Sequence, residues 1–312
     1  MTPEVRKAAE ILRAGGLVAF PTETVYGLGA DAANPDAVKR LYAVKRRPAE
    51  HPVIVHFAAS QDAFKWASSV PAAARSLAAR FWPGPLTLIL KRSRKAKDFV
   101  TGGQDSVGLR VPAHPIAREL LSLFGSGVAA PSANRYGGVS PTTAAHVRDD
   151  LGKDVDLVLE GGASEVGIES TIVDLSGGKA VLLRPGHIGL PQLEGVIGEV
   201  AQKTSASPRH SGGLERHYAP RTPARLVPTH ELDREIALGK SRVAVLAFSR
   251  PDERVDFWLR MPREPQGYAQ RLYAALRELD SAGCECILVE APPEAPEWAA
   301  VRDRLMRACT RA

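Results

Sequence analysis

Cysteine is scarce in this 312-residue chain: Cys284, Cys286 and Cys309 are all there is, each near the C-terminal end. An odd count argues against a disulfide framework, and a C-x-C pair with one distant partner lacks zinc-site spacing. The three read as reduced thiols of a cytosolic protein. Aromatic residues make up only 6%, which leaves few platforms on which single-stranded nucleic acid could stack. No run of about 18 apolar residues occurs, so no membrane-spanning segment is expected. The charged, amphipathic start of the chain has no apolar stretch of signal-peptide type. No G-x-S-x-G elbow is present, which removes support for a serine hydrolase. Gly239-Lys240-Ser241 imitates the tail of a phosphate-binding P-loop, but Arg234 stands where glycine is required and a strand pattern follows where a helix should.

What is present is ordinary for a globular protein: 44% hydrophobic and 24% charged residues. That composition excludes general disorder, a collagen and a coiled-coil rod. The length is too great for one compact core and suits two domains. Lysine and arginine number 41 against 35 acidic residues, a formal charge of +6; the excess suits anionic partners, either nucleotides or nucleic acid.

Residues 1–202 alternate short apolar runs with helical patterns. Leu17-Val18-Ala19-Phe20 reads as a buried strand, and further strands are expected at 53–57, 86–91, 107–111, 128–130, 157–159, 170–175 and 180–184. Helices are expected at 37–45, opened by Asn34 and Pro35, and at 71–81. Strands mixed with helices indicate an α/β domain without fixing which strands run parallel. Periodicity lapses over residues 203–223, which read as a linker. Residues 224–312 then carry strand patterns at 242–248 and 286–290 and helical patterns at 268–279 and 298–308, a second and smaller α/β domain.

Several motifs carry chemistry. In Pro21-Thr22-Glu23-Thr24-Val25-Tyr26-Gly27-Leu28-Gly29, six residues separate Phe20 from Gly27, which is wrong for a dinucleotide fingerprint. The segment is expected to be a loop whose threonines and glutamate are ligands for a small polar substrate. Lys45-Arg46-Arg47-Pro48 closes a helix, where cations complement the dipole, and the proline keeps the chain extended beyond them. His56 ends a strand. Arg110 lies on another, where an inward arginine needs an anion because it cannot shed its charge. Ala130-Pro131-Ser132-Ala133-Asn134 and Arg184-Pro185-Gly186 close two more strands. Polar and basic groups at several strand ends are where α/β folds build ligand sites. The basic run Lys91-Arg92-Ser93-Arg94-Lys95-Ala96-Lys97 reads most simply as a solvated loop, with RNA contact as the sharper alternative.

Taken in order, these segments resemble the threonylcarbamoyl-adenylate synthase family in its long, two-domain form, whose catalytic module is YrdC-like. The matching stretches are residues 20–30, 45–56, 81–90, 108–112, 130–134, 140–142, 167–174 and 183–186. His217-Tyr218-Ala219-Pro220 resembles that form's linker signature, and residues 269–280 with Asp303-Arg304-Leu305 resemble its C-terminal domain. The resemblance implies an α/β fold: a YrdC-like twisted mixed sheet with helices and a concave cleft in residues 1–202, a linker or lid at 203–223, and a smaller Rossmann-like α/β domain at 224–312.

It also implies a reaction, in which L-threonine, bicarbonate and ATP give threonylcarbamoyl-AMP and pyrophosphate. Downstream tRNA threonylcarbamoyltransferase proteins would pass the group to the adenosine beside the anticodon. No protein nucleophile is expected, since such a transfer rests on positioning and on cations at the phosphate oxygens, with Mg2+ held mainly by ATP. By resemblance, Thr24, His56, Arg110 and Ser170 match threonine-binding positions, with Arg110 the clamp for the carboxylate. Lys45, Arg47, His51, Ser106, Ser132, Asn134, Ser140, Arg184 and Tyr218 match nucleotide-binding positions, Lys45 and Arg47 acting electrostatically. His51 stands where the family often has asparagine, and Ser211-Gly212-Gly213-Leu214 where serine-proline-glycine-methionine is more usual. With Tyr218 in the linker, that segment is expected to fold over the mouth of the site and exclude water. Two other classes stay open at this point. One is a non-catalytic RNA-binding protein using residues 91–97. The other is a related carbamoyl-adenylate-forming enzyme of the hydrogenase-maturation type, although the three cysteines cannot supply its zinc modules. Oligomeric state and direct tRNA contact are left open.

Overall fold

A computed structural model describes residues 2–205, 207–238 and 242–309. Gly239-Lys240-Ser241 lies outside the described residues. The chain divides into two compact units, the first comprising residues 1–136, 141–165 and 169–213 and the second residues 137–140, 166–168 and 214–312. The stretch expected as a linker is thus shared between them, because each half of it is hydrogen-bonded within its own unit. In the first unit, Gln104 Nε2 donates to Arg209 O and Arg209 N to Gln104 Oε1. In the second, Arg221 and Thr222 donate their N–H groups to Asp280.

The first unit contains strands β1 (Val18–Phe20), β2 (Gly27–Asp31), β3 (Ile54–His56), β4 (Leu86–Lys91), β5 (Ser106–Arg110), β6 (Val128–Ala129), β7 (Leu157–Val158), β8 (Thr171–Asp174), β9 (Val181–Arg184) and β10 (Ala201–Gln202). Its helices are α1 (Pro3–Arg13), α2 (Pro35–Lys45), α3 (Ser60–Phe64), α4 (Ala72–Phe81), α5 (Asp98–Thr101), α6 (Pro115–Phe124), α7 (Ala144–Leu151) and α8 (Leu190–Ile197). The strands form one mixed sheet in the order β10-β9-β8-β4-β5-β3-β6-β2-β1-β7. Parallel pairs (β3 with β5, β4 with β8) alternate with antiparallel ones such as β4 with β5. His56 and Arg110 are consequently register partners at the ends of β3 and β5.

Two local features place the site. Asn34 caps α2 with its side chain, accepting from the N–H groups of Asp36 and Ala37, and Pro35 supplies a preset first turn. Ala37, Val38, Leu41, Tyr42 and Lys45 fall on the buried face of that helix, so the last of them carries its ammonium inward. The glycine-bearing stretch after Pro21, expected as loop, is instead strand β2 from Gly27 onward, antiparallel to β1. A Cβ at Gly29 would come within 2.9 Å of both Phe20 and Val128; glycine is needed there for close packing between strands and cradles no phosphate.

The second unit holds β11 (Ala224–Val227), β12 (Val243–Ala247), β13 (Phe257–Arg260) and β14 (Cys286–Glu290), with α9 (Leu232–Leu238), α10 (Pro265–Asp280) and α11 (Ala299–Ala308). Its sheet is wholly parallel, in the order β11-β14-β12-β13. Such a sheet needs crossover connections, and α9 and α10 occupy two of them. Among the described residues no helix is long and apolar enough to cross a membrane.

Replacing Asn34 by alanine removes the cap of α2 and should lower stability by about 1 kcal/mol, measured as a shift in the urea midpoint at unchanged m-value.

Candidate active site

The loop after β1 is built on Thr22. Its hydroxyl donates to Val25 O at 2.6 Å, accepts from the N–H groups of Thr24 and Val25, and lies 2.9 Å from the Thr24 hydroxyl. That turn fixes Glu23 and Thr24, 5% and 0% exposed, facing the sheet. The Glu23 carboxylate is taken up by the protein itself: Oε1 accepts from Arg110 at 2.7 Å and Oε2 from Ala113 N at 3.1 Å. The carboxylate expected as a substrate ligand is thus engaged by two groups of the protein. The anion that the buried arginine requires is Glu23, yet Arg110 Nε remains buried without a partner. His56 beside it has its Nδ1 buried and unpartnered too. Burial, reinforced by the Arg110 charge, pushes the His56 pKa down to about 3, so the imidazole is neutral at pH 7.

Ser170, just before β8, is held by two neighbours. Its hydroxyl lies 2.8 Å from Thr87 Oγ1 on β4 and accepts from Arg184 at 3.1 Å. Arg184 also donates through Nε to Ser170 O and through Nη1 to Ser211 O. Thr87 was not singled out from the sequence. Its signal was there: one hydroxyl amid Leu86, Leu88, Ile89 and Leu90, all buried.

Among the residues matched to nucleotide-binding positions, Lys45 donates through its side-chain nitrogen to Ser132 O and Asn134 O at 2.5 Å each, tying the loop after β6 to the end of α2. Burial, and next the Arg47 charge, draw its pKa well below the ordinary lysine value. Arg47 donates to His51 O and Pro52 O, and its guanidinium lies 5.3 Å from the ring centroid of Tyr136. The Tyr136 hydroxyl is 2.8 Å from His51 Nδ1, so the histidine is seated by an aromatic neighbour that sequence reading did not pick out. Burial and then Arg47 lower the His51 pKa. Ser106 opens β5 opposite Lys91.

The structure thus gathers Thr24, Lys45, Arg47, His51, His56, Ser106, Arg110, Ser132, Asn134, Ser170 and Arg184 in the first unit. Ser140 and Tyr218 belong to the second. There Tyr218, fully buried, stacks on Tyr273 at 5.7 Å beneath the Arg304 guanidinium at 5.3 Å, and Arg304 pairs with Asp303 at 2.8 Å. Three separate stretches of sequence, at 217–218, 272–273 and 303–305, therefore meet in one cluster. Among the described residues no group of three or more histidine, cysteine, aspartate or glutamate side chains is placed to hold a metal ion.

Comparison with known proteins gives the same class. Residues 10–186 match the family of Sua5, YciO and YrdC proteins described as "Telomere recombination", and residues 188–310 match the family described as "Threonylcarbamoyl-AMP synthase, C-terminal domain". The threonylcarbamoyl-AMP synthase of Pyrococcus abyssi is 40% identical over 98% of this chain and 94% of its own length. That of Bacillus subtilis is 39% identical over 98% and 93%. The crystal structure of P. abyssi Sua5 complexed with L-threonine superposes with a TM-score of 0.91 at 38% identity, covering 98% of this chain and 94% of that one. The chain belongs to the threonylcarbamoyl-AMP synthase family, in its two-domain form.

The neutral His56 has a consequence for stability. Its folded pKa of about 3 lies below the ordinary 6.5, so between those values the unfolded chain binds a proton that the folded one does not. The folded state is favoured fully above the unfolded pKa and loses that advantage as pH falls toward the folded one. Unfolding free energy should therefore decline between pH 6 and 4 by up to about 1.4 kcal/mol per pH unit from this group, and His56→Gln should flatten that part of the profile in urea titrations.

Proposed function

We propose that this protein condenses L-threonine, bicarbonate and ATP into threonylcarbamoyl-AMP and pyrophosphate, for threonylcarbamoyladenosine modification of tRNA beside the anticodon. The observation that carries the reading is Arg110. One terminal nitrogen of its guanidinium is fixed by a buried carboxylate, and its Nε lies unsatisfied beside a neutral histidine, in a chain of this family. A fixed guanidinium with an unmet donor suits a carboxylate such as that of threonine. The neutral imidazole adds no second cation, so the substrate's amine is not forced against two like charges.

The chemistry needs no protein nucleophile. Bicarbonate takes up a proton and loses water to give carbon dioxide; the amine nitrogen bonds to its carbon, giving a carbamate and returning a proton. A carbamate oxygen then attacks the α-phosphorus in line, and the bond to the β-phosphate oxygen breaks as pyrophosphate leaves. In this reading Thr24, His56, Arg110 and Ser170 hold threonine. Lys45, Arg47, His51, Ser106, Ser132, Asn134 and Arg184 of the first unit serve the nucleotide, Lys45 chiefly by holding the carbonyls of Ser132 and Asn134 in place. Mg2+ would arrive on the ATP phosphates, which with water supply most of its oxygen ligands. Residues 209–211, fastened to Pro52, Gly102, Gln104 and Arg184, support a water-excluding role for the strap over the first unit. A cytoplasmic location and delivery of the product to tRNA-modifying proteins complete the proposal.

Incubation with ATP and bicarbonate should release pyrophosphate only when L-threonine is added; release without threonine, or none at all, would sink the reading. Arg110→Lys keeps the charge but loses the planar fork, and should raise KM for threonine at least about tenfold. Thr87→Val, which removes only the support of Ser170, should raise it by about two- to tenfold with the KM for ATP little changed.

A further inference from the structure

The end of β4 and the loop after it carry Lys91, Arg92, Arg94, Lys95 and Lys97. Four of these, all but Lys95, line an open groove of about 1140 Å³ in the first unit, whose wall is completed by Gln104, Ser106 and Pro208 among others. Arg92 is ion-paired with Asp98 and, at 3.7 Å, with Asp105. Among the described residues no ion pair engages Lys91, Arg94 or Lys97, so three cations face one depression without a counter-ion. Gln104 and Ser106 also line a second cavity, beneath residues 209–211, that has only about 10 Å³, room for about one water. Gln104, common to both linings, holds the backbone of Arg209 with both ends of its amide.

We propose that the basic groove is a binding site for inorganic pyrophosphate, receiving the leaving group of the adenylyl transfer as it departs past Ser106. The proposal rests on the synthase reading, through the placement of Ser106 at the nucleotide. Pyrophosphate is compact and multiply charged, and suits a short cluster of unpaired cations flanked by serine hydroxyls. A nucleic-acid backbone offers the same phosphate chemistry but fits less well. The carboxylates of Asp98 and Asp105 interrupt the rim, and Phe99 is the one ring among the lining side chains on which a base could stack.

The test uses the full-length protein and its Arg94→Gln/Lys97→Gln variant, both side chains being exposed. Pyrophosphate is titrated calorimetrically, and product inhibition by pyrophosphate is measured in parallel. The variant should bind pyrophosphate about five- to tenfold more weakly and resist inhibition by a similar factor, with KM for threonine unchanged. Arg94→Lys/Lys97→Arg should retain binding, which separates charge from folding. Unchanged affinity and inhibition in the glutamine variant would overturn the proposal. So would loss of affinity for a single-stranded RNA oligonucleotide with pyrophosphate binding intact, since the groove would then be a nucleic-acid surface. The calorimetric arm needs no turnover, so failure of the synthase reading would show separately, as absent threonine-dependent pyrophosphate release.

Discussion

The buried pair of Glu23 and Arg110 is the constraint around which the first unit is arranged. An arginine in an apolar sheet cannot be neutralised by losing its proton, so the fold must deliver a carboxylate to it. That carboxylate comes from 87 residues earlier in the chain, on the turn that Thr22 knots after β1. The pairing uses one terminal nitrogen of the guanidinium and the N–H of Ala113, and leaves Nε without a partner. A pair whose geometry leaves one donor unmet is poor economy for stability alone. It is intelligible as a receptor for a second anion, and the register partnership of β3 and β5 puts neutral His56 directly alongside.

The same logic runs through the rest of the cleft, where charged groups first organise the backbone and then present what is left over. Lys45 holds two carbonyls of the loop after β6, and Arg47 holds two in the turn before β3. Arg184 gathers Ser170 and Ser211. Each cation is buried or nearly so, and each is satisfied mainly by neutral oxygens. Such an arrangement keeps the site electropositive before any substrate arrives, with little reorganisation left to do, which is how electrostatic preorganisation favours phosphoryl chemistry.

Much of this was legible in the sequence because it depends on local rules. The Asn34-Pro35 start of α2, the apolar runs of β3 to β5 and the strand-end placement of Ser132 and Arg184 needed no tertiary information. The demand of Arg110 for an anion was legible as well; which anion was not, because a contact between distant segments leaves no local trace. Strand β2 was hidden by Gly27 and Gly29, poor strand formers required here by the approach of Phe20 and Val128. Basic residues ending a helix suit solvent and dipole equally, so the burial of Lys45 emerges only when its position is counted along the face of Ala37, Val38, Leu41 and Tyr42. The lapse of periodicity suggested a linker, and the side chains of Gln104 and Asp280 fasten its two halves, each within its own unit.

On the proposed reading, the unpartnered Nε of Arg110 is reserved for the substrate's carboxylate. Calorimetric titration of the unaltered protein with L-threonine and with L-threoninamide, which differs only at that group, tests it most directly. The account expects the amide to bind at least about tenfold more weakly, the loss of a charge-assisted hydrogen bond. Equal affinity for the two compounds would contradict it.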